Sequence, residues 1–468
     1  MSSTHFSPFI EAHRIGPLEF NISSPVKPIS IRDQMVRAEM LIDDLWDGAL
    51  ISKPRRLLIV GGGVAATTAA LCAIRHKVPV LVVNKASSFF TLQAKCFTRW
   101  IDPTQYDWPA GHWRMAKYPW HQPGMGAPLP WDAQIASTIA TDWSVTMDYA
   151  DRTHPNLTVW HEHELAGLPT YDATQETMDC EIRDLVSGTV SDVTVGCVLY
   201  AVGFGRERSA IGSFQSEYFW QADSLESPQA GCSANPAATI SVAICGAGDG
   251  ALQDFIRVVT GMHSAGELMD VVLPYLERQH ELEIASEEEQ AQRALLWCQD
   301  KADEHKVCSR LHDIHQRIVD DMLTNTGISA ELSGLLDARL ANLTVTIYHP
   351  CDHFSPSFAL NRFLVHLLCA WAQRRGASIH RVPRRMLKLV AGIGHTCSRD
   401  DMDACRCKRH RLNFNPDATC VDSRGVLHRE DADLVVLRLG IEPLKFLPLD
   451  GREMRFSRQI LPYFPPQQ

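Results

Sequence analysis

Twice in this 468-residue chain a short apolar strand runs straight into a glycine turn of one spacing. Leu57-Leu58-Ile59-Val60 leads into Gly61-x-Gly63-x-x-Ala66, and the run from Thr239 to Cys245 leads into Gly246-x-Gly248-x-x-Ala251. In such a turn the first glycine permits the sharp exit from the strand. The second has no Cβ to keep a ligand off the backbone, and the third small residue lets helix and strand pack closely. The helix that follows points its free N–H groups and positive dipole end at the turn, which suits a diphosphate. One turn of this form is a weak motif. Around the first, however, strand, turn, a helix-like stretch Thr67 to His76 and a second strand Val80 to Val83 follow in the order a dinucleotide-binding unit requires. The pattern predicts an α/β protein with two Rossmann-like units.

A chain this long divides into two or three domains. Its hydrophobic share of 45% and charged share of 21% are those of a globular protein. A net charge of −10 argues against broad nucleic-acid binding, which needs a basic face to release counterions. Local phosphate binding at a helix start does not depend on that sum. No apolar run of about 18 residues suggests a membrane span. Met1 to Pro28 is polar and proline-punctuated, without the basic start and apolar centre of a signal peptide. The 14 cysteines then fit reduced thiols better than a disulfide framework. The expectation is a cytoplasmic protein with a small-molecule substrate and neither nucleic acid nor membrane as partner; a homo-oligomer stays open.

Residues 1–50 read as an irregular arm (1–29) and a helix to about Trp46. Ser30 and Asp33 form a variant capping box, Met35, Ala38, Ile42 and Leu45 the inner face, and Gly48 a C′ glycine. Residues 51–235 with 441–468 read as the first nucleotide domain and 236–440 as the second. Within the second, 262–340 is rich in Glu, Gln, Leu and Ala and reads as a helical insert. Its second strand comes only at Leu343 to Tyr348, its helix at Phe358 to Arg374, and a last strand, Asp433 to Leu439, ends at Gly440. The acidic stretch Glu281 to Gln292 covers the cofactor cleft, forms a subunit contact, or is simply a solvated face.

Residues expected at the first diphosphate are Gly61, Gly62, Gly63, Val64, Ala65 and Ala66. Asn84 and Lys85 follow the second strand, where an acidic ribose-binding residue is usual; asparagine can hydrogen-bond a hydroxyl without the charge. The loop 97–131 carries Trp100, Trp108, Trp113, Trp120 and Trp131. Arg99, with Cys96 and Tyr106 chosen by position alone, marks it as a flavin- or substrate-facing wall or as a loop packed for its own sake. Gly246, Gly248, Asp249 and Gly250 are expected at the second site. A carboxylate there costs electrostatic energy unless it points away, pairs or caps the helix. His349 reads as a surface residue, or as one near an adenosine ribose. His161 and His163 read as one face of a strand. Cys397, Cys405, Cys407 and His410 pair poorly for a zinc site, as do His349, Cys351 and His353, so no metal is assigned. No catalytic acid or base stands out.

Four landmarks in order, Gly61–Ala66, Ala201-Val202-Gly203, Gly246–Ala251 and Asp433–Gly440 followed by Pro443, resemble the two-dinucleotide-binding-domain flavoproteins. That superfamily includes pyridine nucleotide-disulfide reductases and flavin monooxygenases. The resemblance implies FAD in the first unit, NAD(P)H in the second, and Gly203 and Gly440 where the chain leaves each nucleotide domain. It implies an FAD-dependent oxidoreductase passing a hydride from NAD(P)H through flavin to an organic acceptor or to oxygen. Only Cys96 lies where the disulfide reductases carry a redox pair, and the late Gly-Asp segment of many members has no clear equivalent, which places the chain nearer the monooxygenases. The alternatives are a non-catalytic FAD/NAD(P)-binding regulatory or assembly protein and a flavoenzyme whose second site is vestigial.

Overall fold

The computed structural model describes residues 7–23, 29–120, 126–212, 214–228, 239–298, 301–383, 386–393, 409–414 and 429–442. The described residues 7–23 of the N-terminal segment are not irregular. Its strand β1 (Glu19–Asn21) joins the first sheet, and α1 (Ile31–Asp47) starts at the expected capping box, with Ser30 Oγ accepting from Asp33 N at 3.1 Å. Met35, Ala38, Ile42 and Leu45 are all buried. The left-handed residue after α1 is Ala49 (φ 55°), not Gly48 (φ −77°), so the expected glycine role falls one residue later.

The first unit runs β2 (Leu57–Val60), α2 (Val64–Arg75), β3 (Val80–Asn84), α3 (Ala136–Thr153), β4 (Leu157–His161) and β5 (Cys197–Tyr200). These strands are parallel in the order β5-β2-β3-β4, with β1 beside β5. Every residue of β2 and β3 is buried, as a sheet covered on both faces demands. Helices α1, α2 and α3 cover one face. On the other, Met178, Cys180 and Ile182 of an antiparallel meander between β4 and β5 pack on Leu58, Val60, Leu81 and Val83.

The second unit repeats this plan. It runs β6 (Ile240–Cys245), α4 (Asp249–Thr260), then the insert α5 (Ala265–Val272), α6 (Arg278–Trp297), α7 (Lys301–Met322) and α8 (Thr326–Leu340). It continues with β7 (Leu343–His349), α9 (Ala359–Arg375), β8 (Ile379–Pro383) and β9 (Leu434–Leu437). The parallel order is β9-β6-β7-β8, the last strand again beside the first. Another antiparallel meander, Met386–Ile393, Arg409–Phe414 and Arg429–Ala432, precedes it. The duplication seen at the glycine turns therefore extends over both whole units. After β9, Ile441–Glu442 pairs with Arg206–Glu207, bringing the chain back to the first unit.

Buried ion pairs tie the units together. Asp254 on α4 accepts from Arg99 Nη1 of the first unit's loop at 2.6 Å, from Arg438 Nε at 2.8 Å and from Arg257 Nη1 at 3.3 Å. Asp223 accepts from Arg99 Nη2 at 2.8 Å and Arg257 Nη2 at 2.6 Å. Burial alone would raise the Asp254 carboxyl, but Arg99, Arg438 and Arg257 outweigh it and hold it at about 2. Removing one partner of such a buried set strands charge rather than merely losing contacts. Asp254→Ala should therefore cost about 3–5 kcal/mol of unfolding free energy in urea titrations. Because the folded carboxyl titrates below its ordinary 3.8, the Asp254 contribution should be intact above pH 3.8 and fade only as pH falls towards about 2.

Candidate dinucleotide sites

The two glycine turns are near copies in atomic detail. A Cβ on Gly61 would lie 2.2 Å from the Ala201 carbonyl oxygen, and one on Gly246 would lie 2.3 Å from that of Arg438. Both glycines therefore let the residue after the last strand close over the turn. Gly61 N donates to Val83 O, and Gly246 N to Tyr348 O, each at 2.9 Å. The residue following each glycine is braced by the loop beyond the second strand: Phe90 N donates to Gly62 O, and Ser355 N to Ala247 O, each at 2.9 Å. Gly63 and Gly248 then stand at the N-caps of α2 and α4, where no side chain caps the helix and a Cβ would meet nothing within 4 Å. Uncapped N–H groups beside a position with room for a ligand are what an anionic diphosphate requires. Val64 and Ala66 are buried and Ala65 half-buried on the core side of α2, so they set the helix against the sheet. Gly203 (φ 82°) and Gly440 (φ 88°) occupy matching left-handed positions after the last strands, each with open space where a Cβ would be.

The edges of the first site differ from expectation. Asn84 is buried beneath Gly62, and its polar atoms are engaged within the protein. Nδ2 donates to Ser88 O at 2.8 Å and lies 3.1 Å from His161 Nδ1, while Oδ1 accepts from Ala86 N at 3.2 Å. Asn84 thus shapes the loop that props the turn. Lys85 points outward to Glu164 at 2.9 Å. His161 and His163 do not share one strand face, because Glu162 (φ 56°) breaks the strand between them.

At the second site Asp249 is the first residue of α4, yet its Oδ1 accepts from Phe358 N and Asn361 Nδ2, both at 2.8 Å, at the start of α9. It caps the neighbouring helix and turns away from its own. Burial, partly offset by Asn361 and the Phe358 N–H, raises its carboxyl to about 6. A Cβ on Gly250 would lie 3.3 Å from the Phe219 ring, which a larger residue would have to displace slightly. His349 takes the place at the end of β7 that Asn84 takes at the end of β3. It is only 1% exposed, so it is no surface histidine. Burial and the Arg381 charge push its imidazole down to about 3. The insert closes over this end: His312 of α7 contacts Arg381 at 3.1 Å and the His366 ring at 4.4 Å. Glu288, in the acidic stretch of α6, is buried against Arg362 at 2.6 Å and His315 at 2.8 Å rather than solvated.

The aromatic loop lies between the units. Arg99 pairs with Asp223 and Asp254 and stacks over Phe219 at 3.9 Å, so it ties the units together. Tyr106 stacks on Phe358 at 4.2 Å and bonds Gln253; burial pushes its phenol well above the ordinary range. Cys96 is fully buried and burial raises its thiol, which leaves it a packing residue. Trp108 is buried beside Phe363 of α9, while Trp100 stays exposed over His263. With Arg99, Gln105, Gln253 and Arg257, Trp100 lines a small polar cleft beside the middle of α4. Phe219, Phe358 and Arg438 carry much of this junction but lie far apart in sequence without a shared motif; only the Arg438 position, directly after an apolar strand, gave a signal. Cys397, Cys405, Cys407 and Pro443 fall outside the described residues.

Solved structures with a similar chain path include bacillithiol disulfide reductase from Bacillus cereus, with 10% identity, a TM-score of 0.40, and coverage of 83% of this chain and 78% of that one. Another is thioredoxin reductase from Lactococcus lactis, at 10% identity and a TM-score of 0.39, covering 85% and 80%. A third is the ornithine N-hydroxylase of Kutzneria sp. 744, at 9% identity and a TM-score of 0.38, covering 84% and 82%. The sequence matches no protein-family model and no curated protein. The two-unit fold rests on the strand order and the paired turns of this chain itself.

A raised carboxyl lowers stability as pH climbs from its unfolded value of 3.8 through about 6, because the folded state then holds a desolvated charge. Asp249→Asn keeps an acceptor for Phe358 N and Asn361 and removes that charge. Denaturant titrations should show it more stable than wild type at pH 7.5 by about 1–2 kcal/mol, allowing for partial solvent access, with the gain vanishing near pH 4.

Proposed function

We propose that this chain is an FAD-dependent oxidoreductase, with the FAD diphosphate against Gly61–Gly63 and NAD(P)H against Gly246–Gly248. Bound flavin would supply the two-electron chemistry, taking a hydride from NAD(P)H and passing electrons to an organic acceptor or to oxygen. The observation that carries the reading is the start of α2: no side-chain cap, a glycine where a Cβ would meet nothing within 4 Å, and a turn held from both sides by backbone hydrogen bonds. The protein's part is to fix that turn, to orient two dinucleotides on repeated frames, and to hold the frames together through the Arg99 network. Its small-molecule substrate belongs at the junction of the units, beside the polar cleft next to Trp100. No described helix is long and apolar enough to cross a membrane.

A second reading, a flavoenzyme whose second site no longer takes NAD(P)H, draws on two observations. Asp249 puts a carboxylate at the start of α4, and at the end of β7 His349 is buried beside Phe354. A visible spectrum of the purified protein decides between them. Flavin bands that bleach anaerobically with NADH or NADPH support two working sites. Flavin that neither nucleotide reduces supports the second reading, and protein without flavin overturns both in favour of a regulatory binding protein. Gly63→Trp puts an indole where the diphosphate would lie and should purify folded with flavin content at least tenfold lower; undiminished content would remove the first-site assignment.

A further inference from the structure

We propose that His305, Cys351 and His353 form a binding site for a divalent transition-metal ion of the zinc class, which clips the helical insert to the loop beyond β7. The site is separate from both glycine turns and does not depend on which dinucleotide they hold.

One donor atom from each of the three side chains lies within 4.8 Å of the other two. They come from two segments: His305 from the first turns of α7, Cys351 and His353 from the loop after β7. Two imidazole nitrogens and a sulfur suit Zn²⁺ or Co²⁺, whereas Mg²⁺ and Ca²⁺ take oxygen. His353 is set in the form a metal needs. Its Nδ1 lies 2.8 Å from the Phe354 carbonyl oxygen, which only accepts, so Nδ1 carries the proton and Nε2 offers a lone pair. A ring N–H bonded to a backbone carbonyl is the usual outer support of a metal-ligating histidine. That lone pair faces His305 Nδ1 at 2.5 Å. Two nitrogens sharing a tetrahedral ion at bonds of about 2.1 Å sit roughly 3.4 Å apart, so the rings must part by about 0.9 Å. His305 is exposed and can supply that movement, while His353 is buried and Cys351 half-buried. Burial thus deepens from solvent inward, which gives an ion a way in. Binding would displace the Cys351 thiol proton to solvent and leave one coordination position for water.

The loop being clipped also braces the second turn. Ser355, two residues beyond His353, donates its N–H to Ala247 O at 2.9 Å. An ion at His305, Cys351 and His353 would therefore steady both the insert and the Gly246–Gly248 turn.

The test uses the full chain, stripped with a chelator and dialysed against Co²⁺ or Zn²⁺. One equivalent should bind here per chain, with a near-ultraviolet thiolate-to-cobalt band that is lost in Cys351→Ala. His353→Gln and His305→Gln should weaken binding at least tenfold. His305 is exposed, so His305→Gln should keep the wild-type circular dichroism spectrum, which separates ligand loss from misfolding. Zn²⁺ should raise the melting temperature of wild type and not of His305→Gln. A variant with Cys397, Cys405 and Cys407 all changed to Ser should keep the cobalt band. The proposal falls if wild type retains no ion, if the band survives Cys351→Ala, or if it disappears in the triple serine variant.

Discussion

The fold turns on one close approach, made twice: bare glycine backbone against the carbonyl that follows the last strand of its unit. At 2.2 Å and 2.3 Å from the would-be Cβ, no side chain fits at Gly61 or Gly246. This contact seats β5 beside β2 and β9 beside β6, and leaves the second and third strands to extend the sheet in one direction only. It also fixes where the helix begins, because the chain leaves the strand, turns under that carbonyl and presents Gly63 or Gly248 as the N-cap. The open ground in front of each helix is thus a consequence of backbone packing rather than of any particular side chain.

On this shared frame the two units differ electrostatically. A helix start offers about half a positive charge, which one nearby carboxylate outweighs unless that carboxylate turns away or stays protonated. The first turn has no acidic residue at its helix start; the second has Asp249, which is directed to the start of α9. Beyond the second strand, Asn84 knits a compact loop, whereas His349 is buried beside Phe354 and feels the charges of Arg381 and nearby imidazoles. The same backbone therefore carries one turn without an acidic neighbour and one whose carboxylate is engaged at the start of α9.

Between the units the loop 97–120 acts as mortar. Its one buried arginine is shared by acidic groups from a neighbouring loop and from α4, and Trp108 and Tyr106 lodge against residues of α9 and its approach. Buried charges of this kind add little stability in sum, yet each is costly to leave unpaired. Their effect is to specify one relative placement of the two frames.

Much of the frame was legible in the residues. Both glycine turns, the strands at Leu57, Val80, Ile240, Leu343 and Leu434, the capped helix after Ser30 and the insert follow from local periodicity and turn chemistry, which act over a few residues. Tertiary structure alone decided the rest. Glu19–Asn21 is too short to announce itself as a strand, and only an available sheet edge makes it one. Arg99 reads in sequence as part of a flavin- or substrate-facing wall, and only the fold supplies its partners Asp223 and Asp254, 124 and 155 residues away. His349 reads as a surface residue in sequence yet is buried beside Phe354, and His305 lies 48 residues from His353 in sequence yet beside it in space. Spacing along a chain records what neighbours do to each other; the fate of a charge or an imidazole depends on what a distant segment brings to it.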